Sequence, residues 1–260
     1  MSLETQIAAL TQQAGLLLDL PQQIATTATA KIAEVTAAYN QRMATFTVTV
    51  TVDEVTGLDT QPGTDALPVR TMAKALSMVP VGGVGTIRLA SDVTLTATIR
   101  IANKRVVIVS NSAVRRKLSF AKLPWIAGAS TYRGVAAFGL ADGASLHFNF
   151  VELMIPDGAG DAHIPHWFAS PIGVSVTPGA GAPDVGFYDV AINLPATPYA
   201  AVIGVGFGST LHRPTSLWVY AMTLPGAITS INGRLFHDIT ATAGTAAASL
   251  NWLTTNLTTV

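Results

Sequence analysis

The chain has 260 residues, no cysteine, and equal numbers of acidic and basic side chains, 15 of each. Zero net charge excludes a general nucleic-acid binder, which needs a basic surplus to release counterions, and the lack of cysteine excludes disulfides and thiolate metal sites. Only 12% of residues are charged and 7% aromatic against 49% hydrophobic, so the surface is covered by Thr, Ser, Asn, Gln and backbone, or by copies of the chain itself.

The opening "MSLETQIAAL" lacks the basic region and apolar run of a secretory signal, which predicts a protein that acts without a cleaved leader. No window holds the roughly 20 apolar residues of a membrane span, so a soluble chain is expected. Residues 3 to 17 place Leu3, Ile7, Leu10, Ala14 and Leu17 on a narrow heptad seam, with Glu4, Gln6, Gln12 and Gln13 outside it. Pro21 is expected to interrupt this helix, since it lacks an amide hydrogen and crowds the preceding turn. A second helical stretch is expected beyond it, with Ile24, Ala28, Ile32, Val35 and Tyr39 on one face. Each is too short to be stable alone in water. Residues 1 to 44 therefore either lie on the globular body or self-associate, and the narrow seam favours an attachment and oligomerisation segment.

At Met43 the period changes. "TFTVTVTV" (Thr45 to Val52) alternates polar and apolar residues, the pattern of a strand with one buried face. "GLDTQPGTDALPVRTMAKAL" (Gly57 to Leu76) follows, with Asp59, Pro62-Gly63 and Asp65 forming turns. Met72, Leu76 and Val79 then fall at helical spacing until Pro80 and Gly82-Gly83 stop the helix. Residues 45 to 85 thus read as an entry strand, a turn loop and a capping helix.

From Thr86 the chain is strand and turn, and residues 86 to 260 form the expected body. "FNFVELMIP" (Phe148 to Pro156) aligns without gaps on "FYDVAINLP" (Phe187 to Pro195), with partial copies at "WVYAMTLP" (Trp218 to Pro225) and "FHDITAT" (Phe236 to Thr242). Repeats at unequal intervals predict coils of a β-solenoid with loops of different length between them. The competing reading is a sandwich whose strands alternate by chance.

The segment from Thr51 to Pro80 resembles the entry segment of right-handed parallel β-helix (pectate-lyase-like) bodies in bacteriophage tail fibres and tailspikes. The residues that carry the resemblance are Asp53, Gly57, Asp59, Gly63, Thr64, Pro68, Thr71, Ala75 and Leu76, then Pro80 and Gly82-Gly83. Val69 stands where that family usually has an aromatic residue, and Met72 where it usually has Ile. The resemblance implies a mainly β fold: a right-handed parallel β-helix preceded by an N-terminal coiled-coil-like helical segment, assembled as a trimeric fibre. It also implies that Met72, Leu76 and Val79 cap the open end of the first coil, an edge that would otherwise invite aggregation.

Phage proteins on this scaffold are sometimes glycan depolymerases, which use paired carboxylates. The richest cluster here is Asp157, Asp161, His163, His166 and Trp167. It suits a sugar site, or a metal contact through the two histidines, or simply an exposed Gly- and Pro-rich loop. Asp189 and Asp238 read as strand-bend residues, and Glu152 as outward-facing. Arg115, Arg116, Lys117 and Lys122 read as a solvated loop or as a site for acidic glycan. Trp218 reads as core, whereas Trp125 and Trp167 lie in Pro-containing loops that suit carbohydrate or protein contact.

The sequence therefore predicts a non-catalytic virion fibre, made in the host cytoplasm and mounted in the tail. Candidate receptor contacts are Trp125, Tyr132, His163, His166 and Trp167, and no metal or cofactor is expected. Expected partners are its own copies in a homotrimer, tail or baseplate proteins at the N-terminal helices, and a host surface glycan or protein, but neither nucleic acid nor a membrane span. The alternatives are a glycan-cleaving tailspike and a connector that carries a separate receptor-binding protein.

Overall fold

The computed structural model describes residues 2–127, 130–160, 164–165, 170–174, 183–195 and 202–205, with further strands at 216–220, 236–237 and 253–255. Side chains at 42–45, 124–133, 164–165, 174, 204–205 and in those three strands are outside the description. The chain divides into two compact units, Met1–Thr45 and Phe46–Val260.

The first unit is one helix. α1 runs unbroken over Leu3–Phe46, 44 residues with Pro21 inside it, so the expected break at Pro21 does not occur. A proline in a helix interior removes one hydrogen bond and crowds one carbonyl, at a cost of about 3 kcal/mol. The bonds on either side of it continue to propagate. Thr26 and Thr29 return their hydroxyls to the carbonyls of Gln22 and Ala25, both at 2.8 Å, so these β-branched residues are accommodated within the helix. Leu3, Ile7, Leu10 and Leu17 are exposed on this helix, as are Ala14, Ile24, Ile32, Val35 and Tyr39. The helix also takes in Thr45 and Phe46, so the strand begins two residues later than the alternation suggests. No described helix is apolar enough over its length to cross a membrane.

The second unit is a parallel β-solenoid. Its elements in chain order are β1 (Thr47–Val52), α2 (Met72–Met78), β2 (Val84–Leu89), β3 (Val93–Leu95), β4 (Ile99–Ala102), β5 (Arg105–Ser110), β6 (Arg116–Phe120), β7 (Lys122–Ala127), β8 (Ser130–Val135), β9 (Phe138–Ala141) and β10 (Ser145–Asn149). They continue as β11 (Val151–Met154), β12 (Ile164–Pro165), β13 (Ile172–Val174), β14 (Asp184–Tyr188), β15 (Ala191–Asn193), β16 (Ile203–Val205), β17 (Ser216–Tyr220), β18 (Phe236–His237) and β19 (Leu253–Thr255). The chain visits three sheets in turn, through β2–β3–β4, then β5–β6–β9, β10–β11–β13 and β14–β15–β16. Within each of these sheets every pairing is parallel. The first sheet has the order β1-β2-β5-β10-β14-β17-β19.

Alternation along each strand sends Ile87, Leu89, Ile108, Leu118, Leu146, Val185 and Ile192 inward to one shared core. A file of rings runs along it. Phe120 meets Phe138 at 6.2 Å, Phe138 meets Phe148 at 6.0 Å, and Phe148 stacks on Phe187 at 5.6 Å and 10°. The sequence repeat is the cause: Phe148 pairs with Phe187 and Leu153 with Ile192, in the register of the ungapped alignment. The two partial copies fit less well. In the "WVY" copy Val219 pairs with Phe187, while Trp218 pairs with Gly186. The "FHD" copy lies in the third sheet, where Phe236 pairs with Ile203, and Leu253–Thr255 takes the next place in the first sheet.

Sharp corners join the sheets. Asn103 and Asp142 turn the chain from the third sheet to the first with φ of 51° and 48°. Phe150 and Asp189 turn it from the first sheet to the second with φ of 53° and 51°. Asp189 is thus a bend residue, as the sequence suggests.

The start of the solenoid has its own closure. β1 pairs with β2 on one side, and its other edge is met by the entry loop. The Thr51 amide donates to Gly63 O at 2.7 Å, Val69 N to Thr51 O at 3.0 Å, and Asp53 N to Val69 O at 2.9 Å. α2 packs beside β1 and β2, burying Met72, Ala75, Leu76 and the following Val79. Thr71 caps its N-terminus, accepting from Lys74 N, and the Lys104 ammonium donates to the Leu76 carbonyl at 3.0 Å.

Candidate functional site

The two long inserts of the body meet on one small sheet. The stretch after β6 is an antiparallel hairpin, β7 against β8, in which Trp125 lies opposite Tyr132 and Pro124 opposite Arg133. The insert after β11 returns to this hairpin: β12 pairs in parallel with β8, Ile164 beside Tyr132 and Pro165 beside Arg133. Positions 125 and 132 therefore share one three-stranded sheet with the segment that His163 and His166 flank in sequence. Both outer strands of this sheet carry a proline, Pro124 in β7 and Pro165 in β12. A proline has no amide to offer an added strand, so these edges resist pairing with another chain. The side chains of Trp125 and Tyr132, and all of His163, His166 and Trp167, lie outside the described residues.

The basic run from Arg115 to Lys122 is not a loop and not one patch. Residues 116–120 form β6, with Leu118 and Phe120 in the core. Alternation then separates the charges: Arg116 shares the parity of Leu118 and pairs with buried Val151, whereas exposed Lys117 pairs with Glu152. Arg115 is taken up by a clasp. Its guanidinium pairs with the Asp189 carboxylate and lies over the Phe150 ring, 5.0 Å from the centroid. Glu152 faces outward, as its alternation predicts.

The remaining acids hold turns. Asp157 accepts from Ala159 N at 3.0 Å within its own loop, and Asp161 is outside the described residues. Asp53 accepts from the Thr56 hydroxyl at 2.6 Å and from the amides of Val55 and Thr56. The hydroxyl contact is the main cause that lowers its pKa below the ordinary carboxyl value. Partial burial pushes the Asp59 carboxyl up, but the Thr71 hydroxyl at 2.7 Å and the Thr71 and Arg70 amides at 2.9 Å outweigh it, so its pKa is lowered. Asp65 accepts from the Thr51 hydroxyl and pairs with Arg88 at 3.1 Å. These three carboxylates fasten the entry loop. A shallow cavity of about 260 Å³ beside that loop is lined by Glu54, Arg70, Met72, Val93, Leu95 and Ile99 among others. Glu54 is engaged there with the Thr94 amide at 2.6 Å.

A polar group on the first sheet was not singled out from the sequence. The His147 Nε2 and Asp184 Oδ2 atoms lie 2.6 Å apart, and the Ser145 hydroxyl donates to the same oxygen at 3.2 Å. The signal for it lies in the repeat: extending the Phe148–Phe187 alignment back by three residues sets Ser145 against Asp184 and His147 against Gly186, as the register does. No cluster of three or more metal-ligating side chains occurs among the described residues. Comparison with protein-family profiles, curated proteins and solved structures finds no match for this chain.

Proposed function

We propose that this chain is a non-catalytic fibre component of a phage tail that contacts the host cell. In this reading three copies join through the α1 seam, which also meets the tail. The solenoid is right-handed, as crossover connections between parallel strands nearly always are. The entry loop and α2 close its first coil. Host contact falls to the three-stranded appendage.

The observation that carries the reading is the meeting of β12 with the β7–β8 hairpin. Two inserts from successive coils converge there. Two aromatic positions, Trp125 and Tyr132, set opposite one another in one sheet suit recognition of a glycan or protein surface. The exposed seam at Leu3, Ile7, Leu10 and Leu17 supports self-association, since apolar side chains at heptad spacing lose water when a copy covers them.

Changing Trp125 and Trp167 together to Ala in the virion should abolish adsorption to host cells and leave a trimeric mass by light scattering. A single-chain mass for the unaltered protein would remove the fibre reading. Release of new reducing ends from host polysaccharide, lost on Asp157→Asn with Asp161→Asn, would make the protein an enzyme instead.

A further inference from the structure

The segment from Leu58 to Leu67 in the entry loop lies on the body without entering its core. Its apolar side chains, Leu58, Pro62, Ala66 and Leu67, are all exposed, and Gly63 is its one buried residue. Gly63 has a φ of 78°, and a Cβ there would lie 2.6 Å from Cγ1 of Val50, so the segment rests on β1 with bare backbone. Its main-chain ties to the flanking structure are the Thr51 amide on Gly63 O and the Leu58 amide on Pro68 O, at 2.7 and 3.1 Å. With no buried side chain, its attachment is polar, which marks a segment that opens locally at low cost.

Carboxylates make the remaining ties. Asp59 accepts the Thr71 hydroxyl and the amides of Arg70 and Thr71, with the Lys74 ammonium nearby. Asp65 accepts the Thr51 hydroxyl and pairs with Arg88 on β2. Asp53, just before the segment, gathers the Thr56 hydroxyl and the amides of Val55 and Thr56. The adjacent Glu54 is turned instead to the Thr94 amide, and the Arg70 side chain donates to Gly57 O at 2.9 Å. Protonation of the aspartates removes the charge that their donors hold, while Arg70, Lys74 and Arg88 stay cationic. The strands beneath are joined by a main-chain ladder over inward Val50, Val52, Ile87 and Leu89, none of which titrates.

We infer that Leu58 to Leu67 form an acid-released strap, which lifts from the first coil as a unit while the solenoid stays folded. Buried Pro68 and Val69 anchor its far end, and the Val69 amide on Thr51 O and the Asp53 amide on Val69 O keep the base of the loop on β1. Asp53 and Asp59 have pKa values below the ordinary carboxyl value of 3.8. Their share of the closure is therefore complete above that value and is lost as the pH falls through the folded values. Lifting frees the Thr51 amide on the outer edge of β1, and an open edge is where a further strand pairs.

The test follows amide exchange in the full chain by mass spectrometry, corrected for the intrinsic effect of pH, at about pH 7 and about pH 2. The amides of Thr51, Arg70 and Thr71 should lose about tenfold or more of their protection in acid, while those of Ile108 and Phe148 keep theirs. Asp59→Asn combined with Asp65→Asn should lose the same protection already at about pH 7 and admit chymotrypsin after Leu58 or Leu67. The inference fails if the three amides stay protected at about pH 2, or if they open together with Ile108 and Phe148, since the whole solenoid would then be unfolding. It also fails if the double variant is as protected at about pH 7 as the unaltered chain. Should the double variant not fold, the comparison of the two pH values on the unaltered chain decides.

Discussion

The closure of the first coil is the part of the proposal that a single substitution tests most directly. Leu76 is 3% exposed, in a helix of only seven residues whose other buried residues are Met72 and Ala75. Leu76→Ala removes three carbon atoms, about 2.4 kcal/mol at about 0.8 kcal/mol for each, before any term for the cavity left behind. If α2 holds the entry loop on β1, that loss should loosen the loop's hydrogen bonds to the strand. Hydrogen exchange at the amides of Thr51, Asp53 and Val69 should then quicken by about fiftyfold, at about 1.4 kcal/mol per tenfold. The control is Leu67→Ala, since Leu67 lies in the same loop but is 48% exposed, and it should change stability by no more than about 0.5 kcal/mol. Exchange that is the same in both variants, with denaturation midpoints also equal, would refute the reasoning. The helix would then be an ornament on a coil that closes without it.

Two more outcomes follow from the same geometry. Asp53 and Asp59 have lowered pKa values in the folded chain, so their contribution is complete above the unfolded carboxyl value near 3.8 and is lost as pH falls through the folded value. Asp59→Asn should therefore destabilise near neutral pH, and the gap to the unaltered chain should narrow below about pH 4 in denaturant titrations; a gap independent of pH contradicts this. Phe148→Ala and Phe187→Ala should each cost about 3–5 kcal/mol. Their double-mutant cycle should show about 0.5–1.5 kcal/mol of coupling from the stacked rings, whereas strict additivity would mean that the rings fill space independently.

Whatever depends on neighbours along the chain was legible before any folding. Period-two alternation marked the strands of the first and second sheets, and the repeat at Phe148 and Phe187 set their register, because stacked parallel coils place equivalent residues above one another. The turn-rich entry loop and the short helix after it were legible in Asp59, Gly63, Thr71 and Leu76, whose local chemistry suffices for turns and caps. Pro21 shows where local rules overreach, since the cost of one missing bond is outweighed by the helix around it. How distant segments meet depends on contacts formed in the folded chain. Nothing local in the stretch from Leu118 to Tyr132 tells a loop from a hairpin, or shows that residues 164–165 return to pair with it, because strand pairing is a contact between separated segments. The same holds for Arg115, which reaches Asp189 across 74 residues, and for His147, which lies over Gly186 because the next coil has no side chain there. These contacts arise between coils, and the stacking offset that creates them depends on insert lengths that composition and periodicity do not encode.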